Sequence, residues 1–207
     1  MTTRERPIIF DSKSVEAILA GNKTQTRRVV KPQPVPAGDM CYLVDKVFFP
    51  NIKDELEMAY ARIQFPDNIA DVIETSERCP YGYADADGTC DRLWVREVWT
   101  RFMDGIAYRA DTTPFSEEQR KAYGVHWNSP IHMPRSASRI TLQVVSVGVE
   151  RVQEITDGDA KAEGIDAMEF PHEWLPAFAE RWDSINAKRG YSWMMNPWVW
   201  VVEFKVI

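Results

Sequence analysis

The sequence has no run of about 18 apolar residues, which excludes a conventional transmembrane helix. Its first residues, Met-Thr-Thr-Arg-Glu-Arg-Pro, lack the apolar stretch of a secretory signal. A soluble, cytoplasmic protein with no membrane partner is therefore expected. Cysteine is scarce: Cys41, Cys79 and Cys90 are three, an odd number that builds no disulfide framework. No Cys-x-x-Cys occurs, and His126, His132 and His172 form no close pair. The thiols read as ordinary side chains rather than zinc ligands, and no metal or other cofactor is expected. Asp85, Asp87 and Gly88 resemble part of a calcium loop, but the remaining spacing, with its terminal Glu, is missing. Internal repeats and a low-complexity tail are also lacking. Positive charge is in deficit too, with 25 Lys and Arg against 31 Asp and Glu, a net −6. Proteins that coat duplex nucleic acid carry a broad basic face. Contact with nucleic acid is therefore expected only through a pocket, a loop or a single-stranded segment.

Against that deficit, one stretch stands out. Gly21 to Arg28 reads Gly-Asn-Lys-Thr-Gln-Thr-Arg-Arg, placing Lys23, Arg27 and Arg28 beside the hydroxyls of Thr24 and Thr26. A short amphipathic helix precedes it, with Ser12 as its cap and Val15, Ile18 and Leu19 at helical spacing. Gly21 supplies the left-handed residue that stops such a helix. The basic residues are expected on the turn that follows, because in a plain strand Lys23 and Thr26 would face opposite ways. The stretch is either a solvated basic loop or an anion or nucleotide pocket in which Lys and Arg meet phosphate and Thr meets polar ligand edges.

The remaining pattern predicts an α+β chain. Pro7 to Phe10 reads as an edge strand or a lead-in to the first helix. Lys31 to Pro36, with three alternating prolines, is an extended connector that continues neither ladder nor helix. Residues 40–90 read as an insertion, with a hint of helix between Leu56 and Phe65 and a loop over Tyr81 to Gly88. Arg92 to Trp99 alternates as a strand, with Leu93, Val95, Glu97 and Trp99 on one face. Glu97 among apolar neighbours either reaches solvent at the strand end or meets a cation such as Arg28 or Arg96. A strand at Ile106–Ala110 and a helix around Ser116–Ala122 lead to Trp127 and to Ile131-His132-Met133-Pro134-Arg135, a loop suited to a pocket rim. There Trp127 and Arg135 could stack on a base or pair with a phosphate, and His132 reads first as a structural hydrogen-bonder. In the strand at Ser138–Val147, Ile140, Leu142 and Val144 share a face. A helix at Ile155–Ile165 carries Thr156 as N-cap, Asp159 at N3 and Glu163 in its last turn, before Gly164. Glu163 is either a tolerated surface carboxylate or one held there to meet the basic stretch. Phe178, Trp182 and Ile185 form a core stripe. The segment Trp198–Val206 is apolar on both faces, as a central strand would be.

Three groups of residues carry a family resemblance. Gly21-x-Lys23-Thr24-x-Thr26-x-Arg28 after a short helix, Asp91 to Glu97 with Ile131 to Arg135, and Asn196 to Lys205 resemble the ASCH domain, a relative of PUA-like RNA-binding folds, in its phage and prophage branch. The likeness covers roughly residues 7–35 and 90–207 and is weak over 40–80. It implies a single domain over 1–207: a PUA-like mixed β-barrel with peripheral short helices and an insertion at about 40–90. It also implies binding of RNA, single-stranded nucleic acid or a modified nucleoside or nucleotide. Some small ASCH proteins are amidohydrolases that deacylate 4-acetylcytidine, and others are linked to RNA cleavage. Carried onto this chain, the resemblance implies Lys23, Thr26 and Glu163 as catalytic residues. Thr26 would attack the amide carbonyl, Lys23 would take its proton, and Glu163 would orient Lys23 or protonate the leaving amine. Thr24, Arg27, Arg28, Glu97, Trp127, His132 and Arg135 are the expected ligand contacts.

Overall fold

The computed structural model describes residues 4–31, 33, 35–37, 40–42, 80–81, 91–102, 105–111, 117–165 and 174–207. It is a mixed α+β structure built on a five-stranded sheet. The strands are β1 (Glu5–Ile9), β2 (Gln25–Val29), β5 (Arg92–Arg96), β8 (Thr141–Arg151) and β9 (Trp198–Val206), in the order β1-β5-β8-β9-β2. β1 and β5 run parallel, and every other neighbouring pair is antiparallel. No closed barrel forms among the described residues. Two small ladders stand apart: β3 (Val35–Ala37) with β4 (Met40–Tyr42), and β6 (Trp99–Phe102) with β7 (Gly105–Tyr108). The helices are α1 (Ser12–Leu19), α2 (Glu117–Ala122), α3 (Asp157–Ala162) and α4 (Trp174–Asn186).

β9 lies between β8 and β2, and its two apolar faces explain why. Trp200, Val202 and Phe204 join Phe10, Val15, Ile18, Val95, Leu142 and Val144 in one core. Val199 and Val201 turn to the other side, into a second core with Val152, Ile155, Ala160, Phe178 and Trp182. The strand is thus covered from both sides over Trp198–Val202, as its pattern predicts, while Glu203, Lys205 and Val206 are exposed. The Ile140, Leu142 and Val144 face is buried as expected, although β8 begins at Thr141 and runs on to Arg151 past a bulge between Val144 and Ser146.

Several expectations are revised. Asp11, not Ser12, caps α1: its carboxylate accepts from the Ser14 amide at 2.9 Å, which Ser12 at the first helical position cannot do. The basic residues do not ride a turn. Gly21 does adopt φ +76°, but Lys23 then makes a single bridge to Glu163, and Gln25–Val29 enters the sheet against β9. The proline connector is partly paired: Pro36 lies opposite Cys41 in β3–β4. A two-stranded ladder is all edge, where a missing N–H is tolerated. The helix hint at 56–65, the loop over 82–88, Cys79 and Cys90 lie outside the described residues.

The strand expected over Arg92–Trp99 breaks at Glu97 and Val98. Glu97 is 1% exposed and meets neither Arg28, Arg96 nor solvent. Arg139 grips its two oxygens at 2.9 and 3.1 Å while also reaching Asp111 at 2.6 Å. Burial holds the Glu97 carboxyl above the usual range, more than Arg139 lowers it. A carboxyl whose folded pKa is raised contributes stability below its unfolded pKa and loses it as pH rises through the folded value. Arg139→Ala therefore leaves a buried charge unpaired and should cost about 3 kcal/mol at neutral pH. The deficit should shrink toward acid, as Glu97 takes up a proton. Urea titrations of both proteins across pH check this; a pH-independent deficit would show that lost packing, not charge, is responsible.

Candidate functional site

The site begins at a backbone stitch. α3 is a short helix with the expected capping box: the Thr156 hydroxyl accepts from the Asp159 amide at 3.2 Å, and the Asp159 carboxylate accepts from the Thr156 amide at 3.1 Å. Ile155 and Ala160 are buried beneath it. At its end, Glu163 bridges Lys23, and the Ala162 carbonyl accepts from the Thr24 amide at 2.8 Å. Gly164 permits this close approach. Its φ is +80°, and a methyl group there would stand 2.7 Å from Ala17 Cβ and 3.0 Å from Lys23 Cβ.

The stitch places Lys23 and Glu163 side by side. Lys23 Nζ donates to Glu163 Oε2 at 2.6 Å and to the Glu163 carbonyl at 2.8 Å. Lys23 is 4% exposed and Glu163 8%, so neither is the solvated surface group that composition allowed. Burial pushes the Lys23 pKa down, more than the Glu163 charge restores it, and the nearby Arg28 and Arg181 push in the same direction.

The other Glu163 oxygen belongs to a second cation. Arg27, equally buried, directs NH1 to Glu163 Oε1 at 3.4 Å and to Gln25 Oε1 at 3.1 Å. Its Nε donates to Glu150 at 2.6 Å, and NH2 lies 3.5 Å from Asp159. Gln25 donates to the same Asp159 at 2.9 Å. Burial raises the Glu150 pKa, outweighing Arg27. For Asp159, burial is overcome by hydrogen bonds from Thr156 and Gln25, and its pKa falls. Asp159 thus serves both as the cap of α3 and as a contact to β2.

Lys23, Thr26, Arg28 and Glu163 open on a cavity of about 770 Å³. Its floor is β2 with Phe10 and Trp200. One wall is the start of α1, with Asp11 and Ser14, and the other is α4 with Phe178, Arg181 and Trp182. Thr26 is 4% exposed, and its hydroxyl has no hydrogen-bond partner among the described residues. Arg28 is half-buried, lies 5.0 Å from the Phe10 ring centre and donates to the Ile9 carbonyl at 2.7 Å. Among the described residues no group of three or more His, Cys, Asp or Glu is arranged to hold a metal, and no helix is long and apolar enough to cross a membrane.

Of the ten residues singled out in the sequence, five converge here: Lys23, Thr26, Arg27, Arg28 and Glu163. The other five do not line the cavity. Thr24 is exposed and contributes only its backbone, to Ala162 and to the Phe204 amide. Glu97 is held by Arg139. Arg135 pairs with Glu5 at 3.0 Å and lies over the Trp94 ring at 5.9 Å; His132 is exposed and Trp127 half-buried. The sequence reading missed Asp11, Tyr81, Arg181, Arg189, Glu150 and Asp159 as parts of the site or its support. One signal was present: Arg181 and Arg189 share the helical spacing of Phe178, Trp182 and Ile185. That stripe, read as core alone, divides: Phe178 and Trp182 are buried, Ile185 is 44% exposed, and all three line the cavity. Comparison with protein-family models, curated proteins and solved structures gave no significant match.

Gly164→Ala tests the stitch. The left-handed φ and the overlap with Ala17 and Lys23 together should cost about 2–4 kcal/mol and loosen the Lys23–Glu163 contact. Thermal unfolding checks the first effect and lysine side-chain NMR the second; a variant as stable as the parent would show that this junction has slack.

Proposed function

We propose that the cavity takes up a single modified nucleoside or nucleotide, and that Lys23, Thr26 and Glu163 remove an acyl group from its base. The observation that carries this reading is the buried Lys23–Glu163 pair, with a lowered lysine pKa, on the wall that Thr26 shares. A protonated lysine cannot act as a base. A neutral one has two N–H bonds and a lone pair. In the observed arrangement both N–H bonds have acceptors, the Glu163 carboxylate and carbonyl, and the lone pair remains for a third partner.

In this mechanism the Thr26 oxygen attacks the amide carbonyl and its proton passes to Lys23 Nζ. The lysinium formed is stabilised by Glu163, which Arg27 holds from its other side. The tetrahedral intermediate collapses, the C–N bond breaks, and the amine leaves with the proton from Lys23. Water then cleaves the acyl-threonine ester, again with Lys23 as base. A PUA-like arrangement of the sheet belongs to the same reading, as does the likeness to ASCH amidohydrolases. Aromatic rings at Phe10, Tyr81 and Trp182 supply faces against which a base can pack.

The second reading is retention without turnover, of RNA, of single-stranded nucleic acid or of a modified nucleotide. It is favoured by the further cationic side chains that line the cavity, Arg28, Lys31 and Arg189.

Incubation with 4-acetylcytidine, followed by chromatography, decides between them. Wild type should release cytidine, while Lys23→Ala and Thr26→Ala should each lose about 100-fold or more of kcat. The rate should climb with pH through a value below that of free lysine, because the neutral amine is the active form. Over that same window the folded state binds fewer protons than the unfolded one, so stability should also rise with pH. No product at high enzyme concentration, with oligonucleotide binding intact, would establish the second reading instead.

A further inference from the structure

We infer that the cavity contains a phosphate subsite formed by Arg28, Lys31 and Arg189, so that its ligand is a 5′-phosphorylated nucleoside rather than a free one. The identity of the base rests on the function proposed above; the phosphate subsite rests on charge and on an unmet donor of Arg28.

Among the described residues, six cationic side chains line the cavity, Lys23, Arg27, Arg28, Lys31, Arg181 and Arg189, and two carboxylates, Asp11 and Glu163. Three of the six are engaged. Lys23 holds Glu163, Arg27 holds Glu150 and Glu163, and Arg181 holds Asp11 through contacts of 2.9 and 3.0 Å. Arg28, Lys31 and Arg189 have no ion pair among the described residues. In a chain with more acidic than basic residues, three cations with no ion pair among the described residues give this lining an excess of positive charge that suits an anion.

Arg28 makes the strongest case. A solvated arginine needs no counter-ion, but Arg28 is half-buried, and its Nε–H is enclosed with no acceptor. One terminal nitrogen reaches the Ile9 carbonyl at 2.7 Å, a neutral partner. Burial lowers its pKa, Tyr81, Glu163 and Asp11 act against that, and Arg189 adds to the downward push, which places the two cations within electrostatic reach. Phosphate oxygens match a guanidinium fork with a free Nε–H and remove the repulsion between the cations. Lys31, 5.3 Å from the Tyr191 ring centre, and Arg189 are exposed, whereas Lys23, Thr26 and Glu163 are buried. The ligand is thereby oriented, with the reacting base inward and the phosphate toward solvent.

Such an anion could be the terminal phosphate of a mononucleotide or an internal phosphodiester of a strand. A cavity of about 770 Å³ has the size of a small-molecule site. Strand binders present a continuous basic groove, which the net charge of −6 does not favour. The mononucleotide is therefore the inferred ligand.

Titration calorimetry on the full chain provides the test, at ionic strength fixed with chloride. The probes are inorganic phosphate, cytidine, cytidine 5′-monophosphate and a short cytidine oligonucleotide. Wild type should bind inorganic phosphate saturably and the monophosphate about tenfold or more tighter than cytidine. Lys31→Ala with Arg189→Ala, both at exposed positions, should abolish phosphate binding and bring that preference to about twofold or less. Lys205→Ala with Arg92→Ala, an equal change of charge at exposed positions of β9 and β5 away from the cavity, should alter neither. Absence of saturable phosphate binding overturns the subsite, whether or not cytidine binds. Tighter binding of the oligonucleotide than of the monophosphate overturns the mononucleotide in favour of a strand. Phosphate binding that the double variant abolishes, with no affinity for any cytidine compound, upholds the subsite and rejects the nucleoside reading.

Discussion

The contact on which the site depends is the one between Lys23 and Glu163. It joins residues 140 positions apart by a side-chain ion pair, a side-chain bond to a carbonyl and a backbone bridge. Each reinforces the next. Two charges buried together are costly unless their geometry is fixed and their remaining valences are met. Gly164 allows the backbones to approach, Arg27 takes the second carboxylate oxygen, and the capped α3 fixes the direction from which Glu163 arrives. A lysine in so enclosed a position sheds its proton more readily than one in water. The strain of burying a cation thus becomes the chemical property the proposed reaction uses.

Arg27 extends this logic across the sheet. Residues of β2 alternate, so Thr26 and Arg28 look toward the cavity side, opposite Val202 and Trp200, while Gln25 and Arg27 look toward Glu150 and Asp159. One five-residue strand therefore carries Thr26 and Arg28 toward the cavity on one face and an ion-pair and hydrogen-bond network with Glu150 and Asp159 on the other. Glu163 is shared between Lys23, which precedes the strand, and Arg27 on its supporting face.

What the sequence disclosed follows from the range of the forces involved. The capping box at Thr156 and Asp159, the stop at Gly21 and the doubly apolar β9 are local patterns, and each appears as read. Lys23, Thr26 and Glu163 were brought together by family likeness, since no spacing rule links residues so far apart. The N-cap of α1 was misplaced by one residue because Asp11 and Ser12 both have capping side chains. The break at Glu97 depends on Arg139, and the support of the basic stretch on Glu150; neither partner can be chosen without the sheet register. Arg135 and His132 looked like a pocket rim because loops of that composition often are, yet Arg135 meets Glu5, Thr141 and the Trp94 ring, His132 is exposed, and neither lines the cavity.

β2 has one strand neighbour among the described residues, and that neighbour is β9. Thr26 lies opposite Val202 and Arg28 opposite Trp200. During synthesis the motif emerges early, but the surface that shapes it emerges only after residue 198. A nascent chain that stops short of β9 carries the whole basic sequence and has no cavity to place it in. The placement of Thr26 and Arg28 on the cavity floor is therefore coupled to completed translation of this region.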